Sequence, residues 1–140
     1  EPTGGLDPQE RANFRQLLTE LADDRCIILS THIVADVESI ADQIAIMQTG
    51  QLIQSATPKA LQEKVADKCW HLTTNLNELK QIQHDFIVSH SVRKDNKVEL
   101  NIVAEHCPDA RAIPRAPTLE DAYLYFTSNK RARTVLARAC

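Results

Sequence analysis

A chain of 140 residues with a net charge of −3 has little basic surface with which to neutralise phosphates, which argues against nucleic acid as a partner. Its apolar share of 43% and charged share of 25% suit a globular protein, and with 4% aromatics the core must be largely aliphatic. No apolar run reaches the ~20 residues that a membrane-spanning helix needs, and Cys26, Cys69, Cys107 and Cys140 show no short paired spacing, so they read as reduced thiols.

The first predicted element is a helix opened by Asp7-Pro8-Gln9-Glu10. Asp7 suits the cap, Pro8 the first helical position, and Glu10 closes a capping box. Phe14, Leu17, Leu18 and Leu21 follow at helical spacing on one face, and the helix should stop near Asp23-Asp24. Cys26-Ile27-Ile28-Leu29 is a short continuous apolar run, the pattern of a strand buried on both faces, with Thr31-His32 after its C-terminal end. A second helix is predicted from Val34 to Ala41, with Val34, Val37, Ile40 and Ala41 inward. Gln43–Gln48, Thr49-Gly50 and Gln51–Ser55 read as a hairpin, and Thr57-Pro58 starts another short helix.

The texture changes near Val65–Lys68. A strand over Trp70–Thr73 and a helix over Leu76–Ile82 are predicted next. Two strands, Phe86–Val92 and Val98–Val103, are joined by the polar turn Lys94-Asp95-Asn96-Lys97. Val98, Leu100 and Ile102 alternate with polar residues, so one face of that strand should be solvated. A loop carrying Pro108, Pro114 and Pro117 leads to a helix capped by Thr118, with Leu119, Ala122, Tyr123 and Phe126 inward. The tail from Lys130 to Cys140 is basic. Cys69 and His71, two apart, and His106 beside Cys107 match no zinc spacing, and no metal site is expected.

Three stretches carry a resemblance. EPTGGLDP (residues 1–8) resembles the end of the Walker B segment and the D-loop of an ABC-type ATPase. Ser30-Thr31-His32, about 30 residues on, resembles that family's switch-histidine loop, and IADQIAIMQTGQLIQSATP resembles the strand pair that follows it. The likeness runs without a gap from Glu1 to about Val65. The C-terminal part, with PTLEDAYLYFT, is similar to the small domain appended to drug-exporter-type ATPase subunits.

The resemblance implies an α/β fold: residues 1–66 as the C-terminal part of an ABC ATPase (P-loop NTPase) nucleotide-binding domain, and residues 67–140 as a small appended α+β domain. It implies that Glu1 is the carboxylate beside the attacking water, that His32 contacts the γ-phosphate, and that Gly5, Leu6 and Asp7 form a D-loop at the interface of an ATPase dimer. A carboxylate so placed orients the water and takes up its proton, and phosphoryl transfer to water needs little more than such positioning and charge neutralisation.

The family's phosphate loop, G-x-x-x-x-G-K-[ST], is absent. The only glycines are Gly4, Gly5 and Gly50, so no such loop can be built. The glycine-rich signature motif is absent too. The chain is therefore expected to be the C-terminal part of a longer exporter-class subunit that hydrolyses ATP with Mg. On its own it should have no ATPase activity and bind no cofactor. The implied partners are membrane-embedded permease subunits and a second ATPase subunit, on the cytoplasmic face of the membrane, and self-association of this chain is expected. A second reading, of another class, is a stand-alone regulatory or interaction module in which residues 66–140 do the work.

Overall fold

The computed structural model describes residues 3–128, so the expectations for Glu1 and for the basic tail lie outside the described residues. Asp7 starts helix α1 (Pro8–Leu21) as its sequence requires: the Asp7 carboxylate accepts from the Glu10 amide at 2.8 Å, and the Asp7 amide donates to the Glu10 carboxylate at 2.8 Å. Such a cap contributes about 1 kcal/mol. Yet α1 buries none of its residues, and Leu17 is 49% exposed. The apolar stripe exists but is only partly covered, with Phe14, Leu18 and Leu21 half-buried and Leu17 open.

The strand expected at Cys26–Leu29 does not form. Residues 26–30 are neither helix nor strand, and Ile28 is 92% exposed. An apolar run becomes a strand only where a neighbour supplies donors and acceptors for its backbone, and among the described residues neither sheet reaches it. Every strand pairing is antiparallel, so the described architecture is mixed α/β without a parallel unit. Helix α2 is also shorter than expected, at Val34–Val37.

The hairpin forms as predicted. Strands β1 (Ile44–Gln48) and β2 (Gln51–Ala56) pair from Ile44 opposite Ala56 to Gln48 opposite Gln51. Thr49 and Gly50 between them have φ of 49° and 78°, the left-handed pair that a two-residue hairpin turn demands. Helix α3 (Pro58–Glu63) follows, with the Thr57 hydroxyl accepting from the Ala60 amide. Strand β3 (Cys69–Asn75) leads to helix α4 (Leu76–Asp85), capped by Asn75. Strands β4 (Ile87–Lys94) and β5 (Lys97–Val103) follow, then the two-residue β6 (Ile113–Pro114), and helix α5 (Leu119–Thr127) closes the order. The second sheet runs β4-β5-β3-β6.

Alternation in β5 sorts its faces as expected: Val98, Leu100 and Ile102 are buried, while Glu99 and Asn101 are only half-covered. The buried face packs with Leu72 against Leu79 and Ile82 of α4. A second cluster joins Ile46 of the hairpin, Leu61 and Val65 near α3, Cys69, Ile87 and Val103 at one end of the sheet, and Leu119, Ala122, Tyr125 and Phe126 of α5. In α5 it is Tyr125 that is buried, at 7% exposure, and Tyr123 that lies half-covered, with the unexpected Asp121 wholly buried beside them. Because α5 shares this core with Val34 and Val37 of α2, it lies next to the segment that carries His32.

Candidate functional site

The chain enters α1 through a tight turn. The Leu6 amide donates to the Thr3 carbonyl at 3.2 Å, and Gly5, the third residue of that turn, has φ of +85°. Turns of this geometry favour glycine there, since a side chain would be strained at positive φ. Gly5, Leu6 and Asp7 thus form a short loop fixed at one end by the turn and at the other by the capping box. The Arg11 Nε donates to the Leu6 carbonyl at 3.3 Å and holds the middle.

His32 is exposed, on the segment between the Cys26–Leu29 run and α2. The Ile33 amide donates to the Thr31 hydroxyl at 3.0 Å and shapes the entry into the helix. His32 and Glu38 lie on one side of a cleft of about 400 Å³, and Thr118, Glu120 and Tyr123 of the α5 segment lie on the other.

The two segments meet at a residue that sequence reasoning missed. Asp36 of α2 is 2% exposed, and its Oδ2 accepts from the Thr3 hydroxyl at 2.5 Å, with Thr3 itself 1% exposed. Its Oδ1 lies 3.6 Å from Arg15 Nη1 and 4.0 Å from Arg11 Nη1. A buried carboxylate requires such partners, since desolvation without them costs several kcal/mol. The sequence shows only an acid inside the apolar Val34-Ala35-Asp36-Val37; that Arg11 and Arg15, four residues apart on α1, come to face it is decided by the fold. Of the predicted site residues, then, Gly5, Leu6 and Asp7 are tied to the His32 segment through Thr3 and Asp36.

Two further polar networks lie elsewhere. Arg115 reaches Asp121, Ser89 and the Ala116 carbonyl. Burial would raise the Asp121 carboxyl, but Arg115, Ser89 and Thr118 together outweigh it and hold it below the usual carboxylate range. On the surface, Arg111 bridges Asp109 and Glu78, and its guanidinium holds Asp109 down to about 2. The cysteines depart from the expectation of four thiols: Cys26 and Cys69 are free, but Cys107 is disulfide-bonded. Burial pushes the Cys69 thiol up to about 12, the opposite of what a reactive cysteine needs.

Among the described residues no three or more His, Cys, Asp and Glu side chains gather as a metal site. No helix there is long and apolar enough to cross a membrane. The Gly5 turn is followed by neither the lysine nor the hydroxyl residue of a phosphate loop, so these residues do not by themselves fit a nucleotide triphosphate and its magnesium.

No protein-family model matches the chain. Two curated proteins of Staphylococcus aureus, each named energy-coupling factor transporter ATP-binding protein EcfA2, are 38% identical to it over 98 residues, which is 66% of this chain and 33% of theirs. A third of the same name and species is 38% identical over 91 residues, 61% of this chain and 30% of its own. The chain spans about a third of the length of the curated relatives it matches.

Proposed function

Because the curated homologues of this chain are ABC ATPase subunits of transporters, we propose that it is the C-terminal part of such a subunit. Residues 1–66 would complete the nucleotide-binding domain and residues 67–140 would form a small appended α+β domain. In this reading Glu1 and His32 are the catalytic positions, and Gly5, Leu6 and Asp7 face a second ATPase subunit. ATP and Mg belong to the intact subunit, whose phosphate cradle comes from outside this sequence. Membrane-embedded permease subunits are the other partners, at the cytoplasmic face of the membrane. The drug-exporter assignment suggested by PTLEDAYLYFT has no counterpart in the relatives' names, which are those of energy-coupling factor transporters. The chain is therefore read as part of a transporter ATPase subunit with no exporter assignment.

The observation that carries this reading is the tie between Thr3 and Asp36. Two loops that the resemblance assigns to one nucleotide site are far apart in sequence, and one buried hydrogen bond joins them. The apolar surface left open at Leu17, Ile28, Met47 and Leu52 supports a second element of the proposal, self-association of this chain in the absence of the remaining subunit.

A chimera that joins the N-terminal two thirds of one of the relatives to this chain tests the reading. It should hydrolyse Mg-ATP. Glu1→Gln should leave ATP binding intact and slow turnover by about 100-fold or more, the usual worth of a general base, and His32→Ala should also slow it. A folded chimera that binds ATP and turns over at an undiminished rate in both variants would overturn the assignment.

A further inference from the structure

We propose that Asp36 is a positioning residue that couples the Thr3–Asp7 loop to the His32 segment, so that the two move as one body. What the coupling serves rests on the ATPase reading above; the coupling itself does not.

Three observations carry it. The Asp36 carboxylate is not spent on its own helix. Position 33 caps α2 without a side-chain hydrogen bond, and the Asp36 amide donates to the Ile33 carbonyl at 3.1 Å. Both carboxylate oxygens are instead turned outward from α2, Oδ2 to the Thr3 hydroxyl and Oδ1 to Arg15 and Arg11. Next, Thr3 begins the turn that ends at Leu6, through the Leu6 amide and the Thr3 carbonyl. One residue therefore bonds to α2 by its side chain and to the loop by its backbone. Finally, Arg11 closes the circuit, with Nε on the Leu6 carbonyl and Nη1 beside Asp36. The loop is thus held to Asp36 directly at Thr3 and through Arg11 at Leu6.

Asp36 lies four residues after His32 and three after Ile33, whose carbonyl accepts from it. A displacement of the loop that pulls on Thr3 or Arg11 must pull α2 with it, or leave a buried carboxylate without its partners. The second alternative is the costly one, because an unpaired buried charge is penalised far more than a shifted short helix. α1 has no fully buried residue, so its packing is only partial and the polar ties carry much of the hold on the loop.

The test is amide hydrogen exchange on the 140-residue chain, comparing wild type with Thr3→Val, Thr3→Ser and Asp36→Asn. Thr3→Val keeps the shape and removes the hydroxyl. The Leu6 amide in the loop and the Glu38 and Ala41 amides that bond back to α2 should speed up together, by about tenfold, the scale of one lost hydrogen bond to a charged group. Thr3→Ser should restore both sets, and Asp36→Asn should repeat the loss. Amides of β5, which lie in the other sheet, should not change. Faster exchange at Leu6 alone overturns the proposal. So does an equal rise in β5, which would mark a general loss of stability, and so does a failure of Thr3→Ser to restore both sets. Coupled exchange in this chain with an inactive chimera would count against the ATPase reading only. Uncoupled exchange with an active chimera would count against this proposal only.

Discussion

Arg115 Nη2 lies 2.6 Å from Asp121 Oδ1, and the Asp121 side chain is wholly buried between α5 and the end of the second sheet. The other carboxylate oxygen accepts from the Thr118 amide and hydroxyl at 2.8 Å each. One residue therefore completes the capping box that Thr118 opens on α5 and neutralises the arginine whose own amide donates to the Cys69 carbonyl at 3.0 Å. The pair joins α5 to β3 at the base of the larger core.

Asp121→Asn should destabilise the chain by about 3 kcal/mol, because it leaves the largely buried Arg115 without its counter-charge. Urea unfolding of the variant would measure this. The folded carboxyl titrates below its unfolded value, so its contribution is fully present above the unfolded carboxylate range. It is lost as pH falls through the folded pKa. The wild type should lose stability with acid over that range, and the variant should show a shallower loss.

Asp109 offers the same sign at the surface. Its pKa of about 2 depends first on Arg111, so Arg111→Ala should let it rise toward the ordinary value near 4. A carboxyl-detected NMR titration would show the shift. Because Arg111 is half exposed, solvent screening should keep the loss of stability at neutral pH small. It should vanish as pH falls toward 2, where the wild-type carboxylate is also lost.

Iodoacetamide at pH 8 should label the exposed Cys26 and spare Cys69. Cys69 is 1% exposed, its Sγ donates to the Val65 carbonyl at 3.3 Å, and its pKa of about 12 leaves almost no thiolate. Peptide mass mapping before and after unfolding would check this. Labelling of Cys69 at the rate of Cys26 in the folded chain would contradict it.

Isothermal titration with Mg-ATP should give no micromolar binding to this chain alone. A site of this kind takes most of its phosphate contacts from a loop that the sequence lacks.

Light scattering over a dilution series should reveal association that weakens in Ile28→Ser. Ile28 is 92% exposed and Leu17, Met47 and Leu52 about half or more, and apolar surface removed from water is worth roughly 25 cal/mol per Å². A monodisperse monomer at high micromolar concentration would rule this out.

Local chemistry was legible in the amino-acid order. The Asp7-Pro8-x-Glu10 box, the Thr49-Gly50 turn, the Thr57 and Thr118 caps and the alternation of β5 each depend on residues within a few positions of one another. Their elements appear within a few residues of expectation. What needed partners far along the chain was not legible. Cys26–Leu29 has the composition of a buried strand but finds no neighbour to pair with, and period alone cannot supply one. Asp36 and Asp121 look like ordinary surface acids in a helix. Only the approach of Thr3 and Arg15 makes burying the charge of the first tolerable, while the second is neutralised by Arg115, six residues before it, and the pair is hidden where α5 packs on the sheet. Sequence spacing reports which residues share a face of one element; which faces meet, and so where a charge is hidden from water, is decided by the packing of elements 20 or more residues apart.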